Sequence, residues 1–331
     1  MPQYHVYGVG NALVDMEFEV SDDTLATLSV DKGLMTLIEE DRHHELLANL
    51  NLADARQCGG GSAANTIMAT AQLGAKSFYS CKVADDDTGD FYMQDLTTAG
   101  VSTNLTSSNR ESGVTGKCIV LITPDAERSM NTYLGITQRI STRELDEAAI
   151  KDSDFVYIEG YLAPENEARA AAIKTRELAE SAGVKTALTL SDVNMVKFFK
   201  EGMNDMLGNG VDLLFCNLDE ALLMTGAADI HAAIPALQNI SKQFAVTLGA
   251  KGALLYDGSN TLEIAAESVT PVDSNGAGDI YAGTFLYGLT HGMAFADCGK
   301  MAGAAATELV QHFGARLPTE SLQTIAGKFS P

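Results

Sequence analysis

The chain has 331 residues, enough for one large domain with a smaller appendage or for two domains, and its 46% hydrophobic and 20% charged content is ordinary for a globular protein. Its 22 basic against 44 acidic residues give a net charge of −22, which argues against nucleic-acid or anionic-membrane partners but leaves room for one bound nucleotide held by backbone N–H groups. No apolar run reaches bilayer length, Met-Pro-Gln-Tyr-His at the start carries no signal-peptide pattern, and 5 scattered cysteines without a Cys-x-x-Cys pair read as reduced thiols, so a cytoplasmic location is expected.

In chain order, Tyr4 to Gly10 reads as a short strand, which places Asn11 and Asp15 just past a strand's carboxyl end, where open α/β sheets bind ligands. Met16 to Val20 and Gly33 to Ile38 read as extended, half-exposed runs. Asp41 is expected to cap a helix reaching about Leu50, with the adjacent His43 and His44 on its surface. Cys58 to Asn65, three glycines among small residues, is expected to open a helix to about Leu73. The glycines allow close approach of a ligand or equally of a packed helix, and Asn65 offers a donor and an acceptor. The spacing does not fit a dinucleotide-binding Gly-x-Gly-x-x-Gly fingerprint.

Lys76 to Val83 reads as a strand and Asp87 to Ala99 as a helix; Gly113 to Thr123 and Ser129 to Leu134 form a hairpin in outline. With the two earlier extended runs it makes a small second sheet. Arg128, at the start of the second hairpin strand, suits either a phosphate clamp or a solvated turn. From Asp154 onward strands and helices alternate, as in βαβ units of a mostly parallel sheet: Phe155 to Ile158, Glu165 to Ala182, Lys185 to Leu190, Asn194 to Lys200 and Val211 to Cys216. Asn217 and Glu220 share one face of the next helix, where the carboxylate fits either a hydrated Mg²⁺ or a helix N-terminus. Gln243 to Leu248 ends on Gly249-Ala-Lys-Gly252, a turn suited to nucleotide contact or to a plain hairpin.

An extended run, Leu262 to Val272, then meets Asp273-Ser-Asn-Gly-Ala-Gly-Asp279 and a helix from Ala277 to His291, followed by a second from Ala294 to Gln311. Gly276, Ala277 and Gly278 fall where a helix begins, so their N–H groups form an anion nest. Asp279 beside that nest suits a general base for phosphoryl transfer, or a mere complement to the helix dipole.

Taken together these residues resemble the ribokinase-like carbohydrate and nucleoside kinase family, also called the PfkB family. Gly60-Gly61-Ser62-Ala63-Ala64-Asn65 and Asp273 to Asp279 carry the match, with Asn217-Leu-Asp-Glu220 and Thr247 to Gly252 between them in the family's order. Gly10 to Asp15, Asn275, Leu188 to Asp192 and Phe198-Phe199-Lys200 are similar to the adenosine kinase branch. The resemblance implies an α/β fold, a ribokinase-like three-layer α/β/α sandwich with a mostly parallel central sheet. A large domain of residues 1–11, 41–102 and 138–331 would carry a β-sheet lid inserted as 12–40 and 103–137.

It further implies that Asp15, Gly60, Gly61 and Asn65 hold a ribose diol and that Asn11, Leu13, Tyr161 and Leu162 surround the base. Asp279 would take the proton of the 5′-hydroxyl, Gly276, Ala277 and Gly278 would stabilise the transferred group, and Arg128 would approach it from the lid. Asn217, Glu220, Thr247, Gly249, Gly252 and Asn275 would hold ATP, with Glu220 anchoring Mg²⁺ through water and K⁺ left open as a further cation. The expected activity is ATP-dependent phosphorylation of a nucleoside, adenosine first. A ribokinase- or fructokinase-type sugar kinase is the alternative, and a non-catalytic nucleoside- or sugar-binding regulator is the third reading. A monomer or a homodimer through the lid fits either.

Overall fold

Apolar runs bounded by glycine and acidic turns alternate with helical stretches, and the computed structural model, which describes residues 2–125 and 127–329, turns that rhythm into two sheets with helices around them. The first third comprises β1 (Tyr4–Val9), β2 (Leu13–Glu19), α1 (Asp22–Thr27), β3 (Met35–Leu37), α2 (Glu40–Ala48), β4 (Arg56–Gly60), α3 (Ser62–Gln72), β5 (Ser77–Ser80) and α4 (Asp87–Thr98). The middle comprises β6 (Gly116–Ile122), β7 (Arg128–Tyr133), α5 (Glu147–Lys151), β8 (Ser153–Glu159), α6 (Asn166–Ala182), β9 (Lys185–Thr189), α7 (Val193–Leu207), β10 (Val211–Asn217) and α8 (Leu218–Thr225). The remainder comprises α9 (Ile230–Ile240), β11 (Ser241–Thr247), β12 (Ala253–Tyr256), β13 (Thr261–Ile264), α10 (Ala277–Thr290), α11 (Phe295–Leu309) and α12 (Thr319–Gly327).

The central sheet has the order β13-β12-β11-β10-β9-β8-β1-β5, parallel from β5 to β11 and antiparallel at its β12–β13 edge. Its parallel strands are buried on both faces, and the core lies in two layers, one against α6 and α7 and the other against α3 and α10. From β1 the chain steps to β5 on one side and later returns to β8 on the other. This reversal between β1 and β8 is a topological switch point, and it opens a crevice at the strands' carboxyl ends.

The second sheet has the order β3-β7-β6-β2-β4. Along β2, Val14, Met16 and Phe18 turn inward, and Met16 and Phe18 join Leu25, Leu46, Ile119 and Leu121 in a small core under α1 and α2. Side chains alternate faces along a strand, so Leu13, Asp15 and Glu17 point the opposite way, over the crevice.

Several local readings are corrected. Residues 56–60 form β4, paired antiparallel with β2, rather than the start of a helix, so this sheet draws on residues outside 12–40 and 103–137. Glycines at 59 and 60 masked the strand because they lack the β-branched signal that marks one. Helix α2 starts at Glu40 after Glu39, with no side-chain cap, and Asp41 sits in its first turn. His43 is 1% exposed, one turn from buried Leu46 and 5.3 Å from the Tyr133 ring, so burial pushes its pKa down to about 4. The pairing after β12 covers only Thr261–Ile264 of the expected run to Val272. Helix α7 runs on past Lys200 to Leu207, with a kink at Phe199 (φ −127°, ψ 30°). Among the described residues no helix is long and apolar enough to cross a membrane.

Candidate active site

At the switch point, β8 ends in Glu159 and β1 leads into Asn11, and the two are locked together. The Asn11 side-chain amide donates to Glu159 Oε1 at 2.9 Å, the Asn11 backbone N–H to the same oxygen at 3.3 Å, and Ala63 N–H at the start of α3 to Oε2 at 2.7 Å. Burial pushes the Glu159 carboxyl up to about 7, against the pull of these donors. Sequence reasoning missed Glu159; the signal was an acid directly after the apolar run Phe155 to Ile158, at a carboxyl edge.

The turn before α3 brings the second element in. Gly61 has φ +103°, and a Cβ there would strike the Asn11 carbonyl oxygen, so glycine is required both by dihedral and by space. That turn aims Ser62 and Asn65 at Asp279 on α10. Ser62 Oγ–H donates to Asp279 Oδ1 at 2.6 Å and the Asn65 amide to Asp279 Oδ2 at 3.1 Å. Burial is the main cause holding the Asp279 carboxyl up at about 6, opposed by these two donors and by the charge of Arg316. Asp15 is pushed up to about 7, again mainly by burial, with Arg316 the strongest opposing charge. Ser62 and Arg316 were not foreseen in these roles.

Helix α10 is entered from Gly276, which is left-handed (φ +74°) and packs so closely on Ala315 that a Cβ would lie 2.5 Å from its carbonyl oxygen. No side chain caps this terminus, which leaves the positive end of α10 facing the crevice. Of the three expected nest donors, Ala277 N–H closes a turn onto the Ser274 carbonyl at 3.2 Å. Asp273 organises the approach, accepting from Asn275 N–H at 3.0 Å and Gly314 N–H at 2.9 Å.

One cavity of about 720 Å³ joins these pieces. Its floor carries Asn11, Gly61, Asn65, Gly276, Ala277, Gly278 and Asp279; the five-stranded sheet contributes Leu13, Asp15, Met35, Leu37 and Met130 above. Leu134, Tyr161, Met195 and Phe199 add apolar surface among polar Gln138, Glu165, Thr189 and Ser191, and Asn217, Glu220, Thr247, Gly249 and Asn275 line it as well. Four expected residues do not line it. Leu162 is fully buried in the core, Gly60 pairs with Leu13 in the sheet, and Gly252 packs against the Ile264 carbonyl. Arg128 turns aside to pair with Glu17 and Asp273, each at 3.1 Å.

Asn217 and Glu220 form a reciprocal capping box on α8. Asn217 Oδ1 accepts from Glu220 N–H at 2.9 Å, while Glu220 accepts the Asn217 backbone N–H at 3.0 Å and its amide at 2.7 Å. Glu220 is buried and pushed up to about 7 by that burial. Among the described residues no three His, Cys, Asp or Glu side chains gather as a metal site. A magnesium ion here would be held by nucleotide phosphates and water, with Glu220 a cavity-lining carboxylate that could order the water.

Residues 27–322 match the family described as pfkB family carbohydrate kinase. An adenosine kinase structure from Sinorhizobium meliloti is 33% identical with a TM-score of 0.89, covering 99% of this chain and 100% of that one. A probable sugar kinase from Rhizobium etli is equally similar, 33% identical with a TM-score of 0.89 and 99% of both chains covered. Ribokinase from Mus musculus is 26% identical over 246 residues, 70% of this chain and 71% of that protein.

Proposed function

The chain belongs to the PfkB family of carbohydrate kinases, and we propose that within it this protein transfers the γ-phosphoryl group of ATP to the 5′-hydroxyl of a nucleoside, adenosine being the acceptor. The observation that carries this reading is that apolar side chains, Leu134, Tyr161, Met195 and Phe199, line the same cavity as the polar Asp15, Asn65 and Asp279. A free pentose is held by polar contacts alone, whereas a nucleobase adds a flat apolar face that such side chains would cover.

Asp279 accepts the hydroxyl proton as the hydroxyl oxygen forms its bond to the γ-phosphorus and the bond to the bridging oxygen of ADP breaks. With a carboxyl held at about 6, Asp279 is ionised at pH 7.5 and remains basic enough to take that proton. The uncapped N-terminus of α10 lies beside it and favours the charge on the transferred group. Magnesium, when bound, neutralises the phosphates. The five-stranded sheet, through Leu13, Met35 and Leu37, covers the acceptor and limits water.

Ribokinase among the similar proteins favours a second reading, a free-sugar kinase. Initial rates with MgATP and a panel of adenosine, guanosine, inosine, cytidine, ribose and fructose separate the two. Adenosine is expected to exceed ribose and fructose in kcat/KM by roughly 100-fold or more. A free sugar turning over faster than every nucleoside would overturn the proposal.

A further inference from the structure

Asn65 has a second neighbour besides Asp279. The Arg316 Nε–H donates to Asn65 Oδ1 at 2.8 Å, and Arg316 Nη1 donates to Asp95 Oδ2 on α4 at 2.6 Å. We propose that Arg316 is a positioning residue for phosphoryl transfer: it fixes the Asn65 amide so that its NH₂ group, and not its carbonyl, faces Asp279. This rests on the reading of Asp279 as the proton acceptor.

An asparagine amide has two orientations of nearly equal shape, related by exchange of oxygen and nitrogen. Here a guanidinium donor stands at one end and a carboxylate at the other. Only one orientation makes both bonds; the other sets the amide oxygen against the Asp279 carboxylate and the NH₂ group against the guanidinium. Arginine is suited to this task because it is always protonated and donates along fixed directions, so the choice holds at every working pH.

The guanidinium is itself immobilised. Its side chain is 16% exposed, Asp95 anchors Nη1, and Nη2 is buried beside Gly59, where a Cβ would crowd it, with no hydrogen-bond partner among the described residues. The titratable and charged groups facing Asp279 are Asp15 on β2, Tyr157 and Glu159 on β8, Tyr161 just beyond, and Arg316; the last is the cation among them. Arg316 thus acts on Asp279 twice, through the Asn65 bond and through its charge.

A purely structural staple between α4 and the segment after α11 would stabilise the fold and leave the chemistry alone. Arg316→Met, Arg316→Lys, Asp95→Asn and Asp279→Asn are compared with the wild type in kcat, KM, pH profile of kcat/KM and thermal midpoint. Arg316→Met is expected to lower kcat on the order of 10- to 100-fold with KM for ATP little changed, and to move the acid limb to higher pH, because losing a cation raises the carboxyl's pKa. Arg316→Lys is expected to return the acid limb while kcat stays low, since charge is restored without the directed donor. Wild-type kcat and acid limb in folded Arg316→Met overturn the proposal. Should that variant not fold, wild-type kcat in both Arg316→Lys and Asp95→Asn overturns it. Wild-type kcat in Asp279→Asn would remove the base reading and the proposal with it, whereas failure of the Arg316 inference alone leaves Asp279→Asn inactive.

Discussion

Arg128 on β7 lies 3.1 Å from the carboxylate of Asp273, and through this pair the five-stranded sheet is fastened to the loop that enters α10. Both side chains are largely buried, at 8% and 7% exposure, and Glu17 holds the same guanidinium from β2. A clamp on the transferred phosphoryl group would need Arg128 to leave these partners, so in this arrangement its place is to position the sheet.

Removing one partner of a buried ion pair strands the other, which costs about 3 kcal/mol or more. Arg128→Met is therefore expected to lower the unfolding free energy by about that amount and to speed proteolysis within the β6–β7 hairpin. Urea denaturation and limited proteolysis check this. A change below about 0.5 kcal/mol, ordinary for a surface pair, would contradict it.

Asp279→Asn is expected to lower kcat by roughly 1,000-fold with KM within a few-fold of wild type. The same variant is expected to melt higher at pH 8. The folded-state pKa of Asp279, about 6, stands above its ordinary 3.8, so the fold holds this proton more tightly than the unfolded chain does. Ionisation then destabilises the fold progressively from about pH 4 to pH 6, and the full cost, on the order of 3 kcal/mol, persists above. Asp15, Glu159 and Glu220, each raised to about 7, carry the same sign up to pH 7. His43, lowered to about 4, and His5, also lowered by burial, oppose them below pH 6.5, two groups against four. Wild-type stability should thus fall between pH 5 and 7.5, less steeply in Asp279→Asn. Thermal midpoints that rise over this window in the wild type would refute the assignment.

Glu220 separates cap from metal anchor. Glu220→Ala leaves the Asn217 N–H and amide without their acceptor, and about 1–2 kcal/mol of stability should be lost. Glu220→Gln keeps one oxygen to accept the Asn217 backbone N–H but sets its NH₂ group against the Asn217 amide, so its denaturation midpoint should lie between Glu220→Ala and wild type. If the carboxylate also orders hydrated magnesium, the Gln variant loses more kcat/KM for MgATP than its stability loss explains; full activity would confine Glu220 to the cap.

Much of the site was legible in the sequence because glycine and acid positions at strand ends report the backbone directly. Gly61 and Gly276 sit where positive φ and close approach demand them, and Asn11, Asp15, Asn65 and Asp279 all line the one cavity. Side-chain partners were not legible in the same way. Nothing local to Asn65 says that an arginine near residue 316 will reach it, and Arg128 reads identically whether it clamps a phosphate or holds a sheet in place. His43 was misplaced because adjacency to His44 shows only that the two differ in facing, not which one turns inward. Strand β4 was hidden by its glycines, and Leu162 lies one residue past Tyr161, which is enough to turn it from the cavity into the core.

The bond from Arg316 to Asn65 joins residues 251 positions apart, and that from Ser62 to Asp279 spans 217. Contacts so distant along the chain close late, after the local βαβ units have formed, because the entropy of large loops must be overcome first. A nascent chain that has already folded β1 to β11 still lacks α10 and the arginine behind it. The candidate base and its arginine therefore join the site only after the central parallel strands are made, and an intermediate that stops at β11 lacks both.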